Sequence, residues 1–320
     1  MSLLQVSELS IFTSQEPRVL VNDVSFDINP GEAVGLVGES GSGKTLSALS
    51  ILGLLPRGVE ATSGAIHFEG RSLRDIDAES MRKIRGNEIA MIYQDPMTAL
   101  NPVMKLGDQL MEVIQSHPEV GDLTIDRVRT VLRDVGIPDI DRAINSYPHE
   151  FSGGMRQRIV IAMALLLSPK LLIADEPTTA LDVTIQQQIL ALVAEERQKR
   201  KLSMLWITHD LGVVANLVDR LHVMYAGRIV ESGPVKEIFE NPQHPYTQGL
   251  LASLPSPRGS SRARLHSIPG VPEKPWMVGN ACAFAARCGF ATDKCRSARP
   301  ELETHNSHSV ACFYPLGSNS

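Results

Sequence analysis

The sequence predicts an α/β fold: a parallel-sheet core built around a phosphate loop, an antiparallel β subdomain, an inserted helical subdomain and a small cysteine-containing C-terminal extension. Three observations lead there. The first is Gly38-Glu39-Ser40-Gly41-Ser42-Gly43-Lys44-Thr45, set between the apolar run 33–37 and the helical pattern of 46–52. The second is a series of apolar runs that end in polar residues: 89–93 before Gln94, 170–174 before Asp175-Glu176, and 203–208 before His209. Separated by helical stretches, such runs build a parallel sheet with its ligands at the carboxyl ends of the strands. The third is that all 4 cysteines follow residue 280, beyond a stretch rich in Pro, Ser, Gly and Arg that begins at Pro255.

Taken in order, residues 3–11 and 19–28 alternate apolar and polar side chains and read as antiparallel strands. In the loop that follows, glycines permit a tight turn whose N–H groups converge on one anion, and the next helix adds the positive end of its dipole. Residues 64–70 return as a strand between turn residues, and 89–93 as another. From 98 to 147 the spacing becomes helical, as in Leu106, Leu110, Val113 and Ile114, then Val128, Val131, Leu132 and Val135. Ser152-Gly153-Gly154 caps a helix over 155–167. A long helix over 183–201 precedes the strand 203–208, and 220–225 with 228–232 form a hairpin around Ala226-Gly227 before a short helix near 235–241. The expected domains are therefore 1–254, with the helical subdomain at about 98–165, and 255–320.

Composition narrows the function classes. A chain of 320 residues, 43% hydrophobic, has room for a large core and an appendage. No apolar run is long enough to span a bilayer, and residues 1–6 lack the basic and apolar regions of a signal peptide. The expectation is a cytoplasmic protein whose contact with a membrane is peripheral. With 31 basic against 36 acidic residues there is no broad cationic field, which argues against a nucleic-acid partner.

The chemistry follows from the phosphate loop and the strand that ends in carboxylates. Lys44 suits the terminal phosphates of a nucleotide, and the Thr45 hydroxyl suits a magnesium ion that bridges them. Asp175 is the second candidate for that ion. Glu176 would polarise the water attacking the terminal phosphoryl group, since such transfer needs positioning and charge neutralisation more than covalent help.

Ser152-Gly153-Gly154-Met155-Arg156-Gln157-Arg158, Gln94-Asp95-Pro96, Ala180-Leu181-Asp182 and Thr208-His209-Asp210, in this order around the two phosphate motifs, resemble an ABC-type ATPase over residues 3 to about 253. The resemblance implies that Gly38, Ser40, Gly41, Ser42, Gly43, Lys44 and Thr45 hold ATP. It implies that Ser152, Gly153 and Gly154 contact a nucleotide held by an opposite subunit, so that two such chains face each other. Gln94 then senses magnesium and the attacking water, His209 is the switch residue on the terminal phosphate, and Asp182 couples the facing sites. Phe12 is the nearest aromatic for stacking on adenine, with a core phenylalanine as the competing reading.

Asn241-Pro242-Gln243-His244-Pro245-Tyr246-Thr247, then Ile268-Pro269-Gly270 and the cysteines, resemble the C-terminal extension of ATPase subunits from bacterial oligopeptide and dipeptide importers. That implies two related or identical ATPase subunits on the cytoplasmic face beneath two membrane permeases, served by an extracytoplasmic binding protein. Import of nickel or another small solute is the nearest alternative, and a soluble ABC ATPase a further one. His244 reads as a helix cap in preference to a metal ligand. Cys282, Cys288, Cys295 and Cys312 lie in a segment too poor in large apolar residues for a core of its own. Their wide gaps do not suit a structural zinc site and are compatible with a [4Fe-4S] cluster, which ATPases resembling this chain can carry. Zinc and unligated thiols remain the alternatives.

Overall fold

The computed structural model describes residues 2–121, 123–179, 181–254 and 267–317. The stretch 255–266, where the sequence predicts a linker, and Ala180 lie outside the described residues. The chain forms two compact units, one of Met1–Ile28, Ala33–Arg74 and Trp206–Ser320, the other of Asn29–Glu32 and Asp75–Leu205.

In the first unit, Leu4–Thr13 pairs antiparallel with Val19–Ile28 on one side and with Val59–Phe68 on the other, and Arg71–Ser72 closes a four-stranded sheet. Register sets Leu4 opposite Ile28 and Phe68, and Val6 opposite Phe26 and Ile66. Because side chains alternate with a period of two, these residues share one face, and all are buried. Each such side chain contributes about 1.5–3 kcal/mol of hydrophobic burial. Val59–Phe68 starts before the strand that sequence places at 64–70. Gly64 sits inside it at φ +90°, where a Cβ would lie 2.6 Å from the Glu8 carbonyl oxygen. The residue that reads as a turn lies inside the strand, opposite the register shift that the neighbouring strand makes between Ser7 and Ser10, where the close backbone leaves no room for a Cβ.

The same unit carries Ala33–Val37, every residue of it buried, which feeds the phosphate loop and the helix Lys44–Ile51. Ala33–Val37 runs parallel to Arg220–Tyr225, which turns back as Arg228–Pro234. Two short strands absent from the sequence reading extend this sheet: His308–Val310 pairs with Arg228–Pro234, and Glu303–His305 with His308–Val310. Glu231 ties the region together from a fully buried position. Its carboxylate accepts the N–H groups of Gln243 at 2.6 Å and His244 at 3.0 Å and pairs with His308 Nε2 at 2.7 Å.

In the second unit, Ile89–Ile92 lies parallel to Leu171–Asp175, with Ile89 opposite Leu171 and Ile92 opposite Ala174. Helices Leu106–Gln115, Ile125–Asp134 and Ile140–Asn145 occupy the stretch whose spacing predicts helices, and bury Leu106, Leu110, Ile114, Val128, Val131 and Leu132. Helix Gly153–Leu165 begins two residues before the expected 155, and Val183–Arg200 is the long helix. Near its end, Glu196 is buried and bonded to Arg200, which with Lys199 also binds Asp134. The strand Ser203–Thr208 starts in this unit and ends in the other. Among the described residues no helix is long and apolar enough to cross a membrane.

Candidate functional site

The phosphate loop is built by backbone conformations that need glycine. Gly38, Gly41 and Gly43 all have positive φ, and a Cβ on Gly38 would stand 2.1 Å from the Met224 carbonyl oxygen. The helix Lys44–Ile51 starts at the loop with no side-chain cap, and the positive end of its dipole faces the loop. The Ser42 hydroxyl is buried without a hydrogen-bond partner, which is what a loop shaped for a phosphate oxygen leaves behind. Lys44, itself buried, folds its ammonium onto the carbonyls of Gly38 at 2.8 Å and Glu39 at 3.0 Å. Ser40, Gly41 and Thr45 are exposed. These residues fit a magnesium-bound triphosphate.

In the other unit, two adjacent parallel strands deliver the expected catalytic pair side by side. Gln94 follows Ile89–Ile92, Glu176 follows Leu171–Asp175, and Gln94 Nε2 donates to Glu176 Oε2 at 3.2 Å. Thr179 fixes the carboxylate further, its hydroxyl lying 3.1 Å from Oε2 and 3.0 Å from the Glu176 carbonyl oxygen. Glu176 sits at φ +47°, a left-handed conformation costing roughly 1–2 kcal/mol for a residue with a Cβ. Thr179 is a contributor that sequence reading missed; its place three residues after Glu176 was the available signal. Asp175 is buried at the strand end.

Ser152 caps helix Gly153–Leu165 through the Met155 N–H at 3.4 Å, and Ser152 and Gly153 are exposed. Gly154 meets the long helix so closely that a Cβ would lie 2.8 Å from Ile185 Cγ2. Asp182 is exposed and caps Val183–Arg200 by accepting the Ile185 N–H at 3.0 Å. His209 is exposed after Ser203–Thr208, and Asp210 caps the helix Leu211–Val214 that follows. Phe12 lies half-buried inside Leu4–Thr13, opposite Val19 and Glu60.

The C-terminal extension reaches the phosphate loop. The Glu39 N–H donates to Tyr246 Oη at 2.9 Å, and the Glu39 carboxylate takes a two-pronged contact from the buried Arg287, at 2.6 and 3.0 Å. This pairing holds the guanidinium well above its ordinary pKa. His244 is the expected helix cap: its Nδ1 accepts the Tyr246 N–H at 3.1 Å at the start of Pro245–Ala252. Burial pushes its pKa down to about 3, so the ring is neutral.

All four cysteines line one cavity, with Phe284, Phe290 and Phe313 among its walls. Burial pushes the thiols of Cys282 and Cys288 up and that of Cys312 to about 11, and neighbouring cysteines add to the effect. Neutral thiols are therefore favoured. The expected metal centre is not formed as such: among the described residues no group of three His, Cys, Asp or Glu side chains could hold a metal ion. The cavity encloses about 20 Å³, room for roughly one water. Four thiols are the donor types a metal cluster uses, but as packed here they do not form a site that fits one.

Comparison with known proteins agrees with this geometry. The family profile described as ABC transporter matches residues 21–179. A second profile, oligopeptide/dipeptide transporter, C-terminal region, matches residues 230–295. The dipeptide transport ATP-binding protein DppD of Escherichia coli (strain K12) is 45% identical over 321 residues, covering 99% of this chain and 98% of its own. The chain belongs to the ABC transporter family. A putative peptide import ATP-binding protein of Brucella ovis is 51% identical over 302 residues, covering 91% of this chain and 89% of its own. Among solved structures, cbiO1 from Clostridium perfringens, part of an ABC transporter complex, superposes with a TM-score of 0.64 at 26% identity, over 75% of this chain and 91% of that one. This ABC protein is the ATP-hydrolysing, energy-coupling subunit of its transporter, and the cysteine-bearing segment falls largely within the match to the peptide-transporter C-terminal region.

Proposed function

We propose that this chain hydrolyses MgATP to drive import of dipeptides or oligopeptides, as one of two facing ATPase subunits beneath two membrane permeases that take cargo from an extracytoplasmic binding protein. The observation that carries the chemistry is the contact between Gln94 and Glu176 at the ends of adjacent parallel strands. It joins a carboxylate able to polarise water to an amide able to orient it. Gly38, Ser40, Gly41, Ser42, Gly43 and Lys44 bind the phosphates. Thr45, Asp175 and Gln94 hold magnesium, which neutralises developing charge when bound. His209 bonds the terminal phosphate and Phe12 stacks on adenine. The exposure of Ser152, Gly153 and Asp182 supports their use by the facing subunit's nucleotide. The cargo reading draws on the C-terminal match and the names of the relatives. Isolation of the native complex from membranes tests it: two permeases should co-purify, and a peptide-loaded binding protein should raise the ATPase rate. A chain that purifies without permeases, or a rate raised by nickel alone, would contradict this reading.

Cys282, Cys288, Cys295 and Cys312 would be the ligands of a [4Fe-4S] cluster that staples the extension; they share one cavity wall, and the packing around them has to open to admit the cluster. No step of hydrolysis runs through it. Ligation must displace thiol protons, so loading weakens as pH falls. Anaerobic preparations should be brown, with about four irons and four sulfides per chain. A colourless protein with one zinc, or with no metal, would refute the assignment.

A further inference from the structure

Glu39 puts a negative charge inside a loop shaped to bind anions. An uncompensated carboxylate there opposes a triphosphate. The compensation comes from 248 residues away in sequence: Arg287 Nη1 and Nη2 bind the two carboxylate oxygens at 2.6 and 3.0 Å. The guanidinium is almost fully buried and held on every side. Its Nε donates to the Pro269 carbonyl at 2.8 Å, Nη2 to the Ile268 carbonyl at 3.5 Å, and Nη1 to Tyr225 Oη at 3.4 Å. It also lies over the rings of Tyr225 and Phe284, at 5.8 and 5.9 Å. Phe284 packs edge-on against Tyr225 at 5.4 Å and lies 5.4 Å from Tyr246, whose hydroxyl accepts the Glu39 N–H. Glu39 is thus held at its backbone by Tyr246 of helix Pro245–Ala252 and at its side chain by Arg287 of the segment that carries the cysteines. Arg287 itself is followed directly by Cys288, and Phe284, Cys282 and Cys288 line the same cavity.

We propose that Arg287 is a positioning residue for the phosphate loop, and that through its fork to Glu39 nucleotide occupancy and the cysteine-bearing segment stabilise one another. This rests on the reading of the loop as the nucleotide site. Linkage is reciprocal: a segment that orders the loop for nucleotide is itself ordered by nucleotide. Arg287→Met leaves the Glu39 charge facing the phosphates, whereas Glu39→Gln with Arg287→Met removes both charges together.

The test uses the full chain. MgATP affinity should fall about tenfold in Arg287→Met, less in Arg287→Lys, and recover most of the loss in the double variant. In the assembled complex, Arg287→Met should raise KM while kcat stays within about twofold. Amide hydrogen exchange supplies a second readout, since the N–H groups of Arg287 and Cys288 are bonded to the Phe284 and Ala285 carbonyls at 3.0 and 3.4 Å. MgATP should slow exchange over residues 284–288 in the parent chain and not in Arg287→Met. Unchanged affinity in a folded Arg287→Met, or absence of nucleotide-dependent protection at 284–288 in the parent, would overturn the proposal and leave the nucleotide reading standing. If Lys44→Ala bound MgATP as tightly as the parent, the nucleotide reading itself would fall, and the proposal with it.

Discussion

Replacing Glu176 with Gln isolates charge from shape. The Gln94 amide and the Thr179 hydroxyl both contact Oε2, at 3.2 and 3.1 Å, and a glutamine carbonyl oxygen in that position accepts both bonds. The left-handed backbone at φ +47° is as unfavourable for Gln as for Glu, so stability should change little. What disappears is the negative charge that draws a proton from the attacking water. A positioned base contributes about 10²–10⁴-fold, which corresponds to about 2.7–5.4 kcal/mol of barrier. ATP binding draws on the loop and its helix and should persist, so closed, ATP-loaded pairs should accumulate. Steady-state ATPase of the assembled complex, with nucleotide binding measured in parallel, reads both quantities. A Glu176→Gln complex within about threefold of the parent, roughly 0.7 kcal/mol, would refute the assignment of Glu176.

Other outcomes follow from separate features. Gly38→Ala should lose nucleotide binding and about 2 kcal/mol or more in urea unfolding, because the new Cβ would stand 2.1 Å from the Met224 carbonyl oxygen. Ser152→Arg should keep MgATP affinity in the isolated chain while abolishing nucleotide-driven pairing, measured by light scattering. His222 and His244 are pushed down to about 3 by burial, in His222 with a contribution from Arg220. The unfolded chain therefore binds more protons below its pKa near 6.5, and stability falls as pH drops from there toward 3, by about 2 kcal/mol per histidine at pH 5. His244→Asn keeps a capping oxygen without the titration, so the pH dependence of its melting temperature should be shallower than the parent's.

What could be read from sequence was whatever chemistry is local. The loop 38–45 reports itself because its glycines, Lys44 and Thr45 act within eight consecutive positions. The His244 cap was legible for the same reason, since its partner is two residues away. Bonds between distant positions left no trace. The Glu39–Arg287 fork joins positions 248 apart, and neither residue type implies the other. The strands Glu303–His305 and His308–Val310 are three residues each, too short and too polar to alternate, and they exist because Arg228–Pro234 offers an edge to pair with. Gly64 shows the opposite failure, a local turn signal that serves inside a strand, where the glycine makes room for the register shift of the neighbouring strand. For the cysteines, spacing gave the number of donors, whereas their shared cavity depends on the folding of the whole extension.

Transport itself tests the central claim most directly. The purified complex, reconstituted in vesicles with its binding protein outside and MgATP inside, should accumulate labelled dipeptide or oligopeptide, and uptake should stop when the ATPase chain carries Glu176→Gln. Vesicles that take up nickel and no peptide, or that accumulate peptide equally well without ATP, would contradict the account.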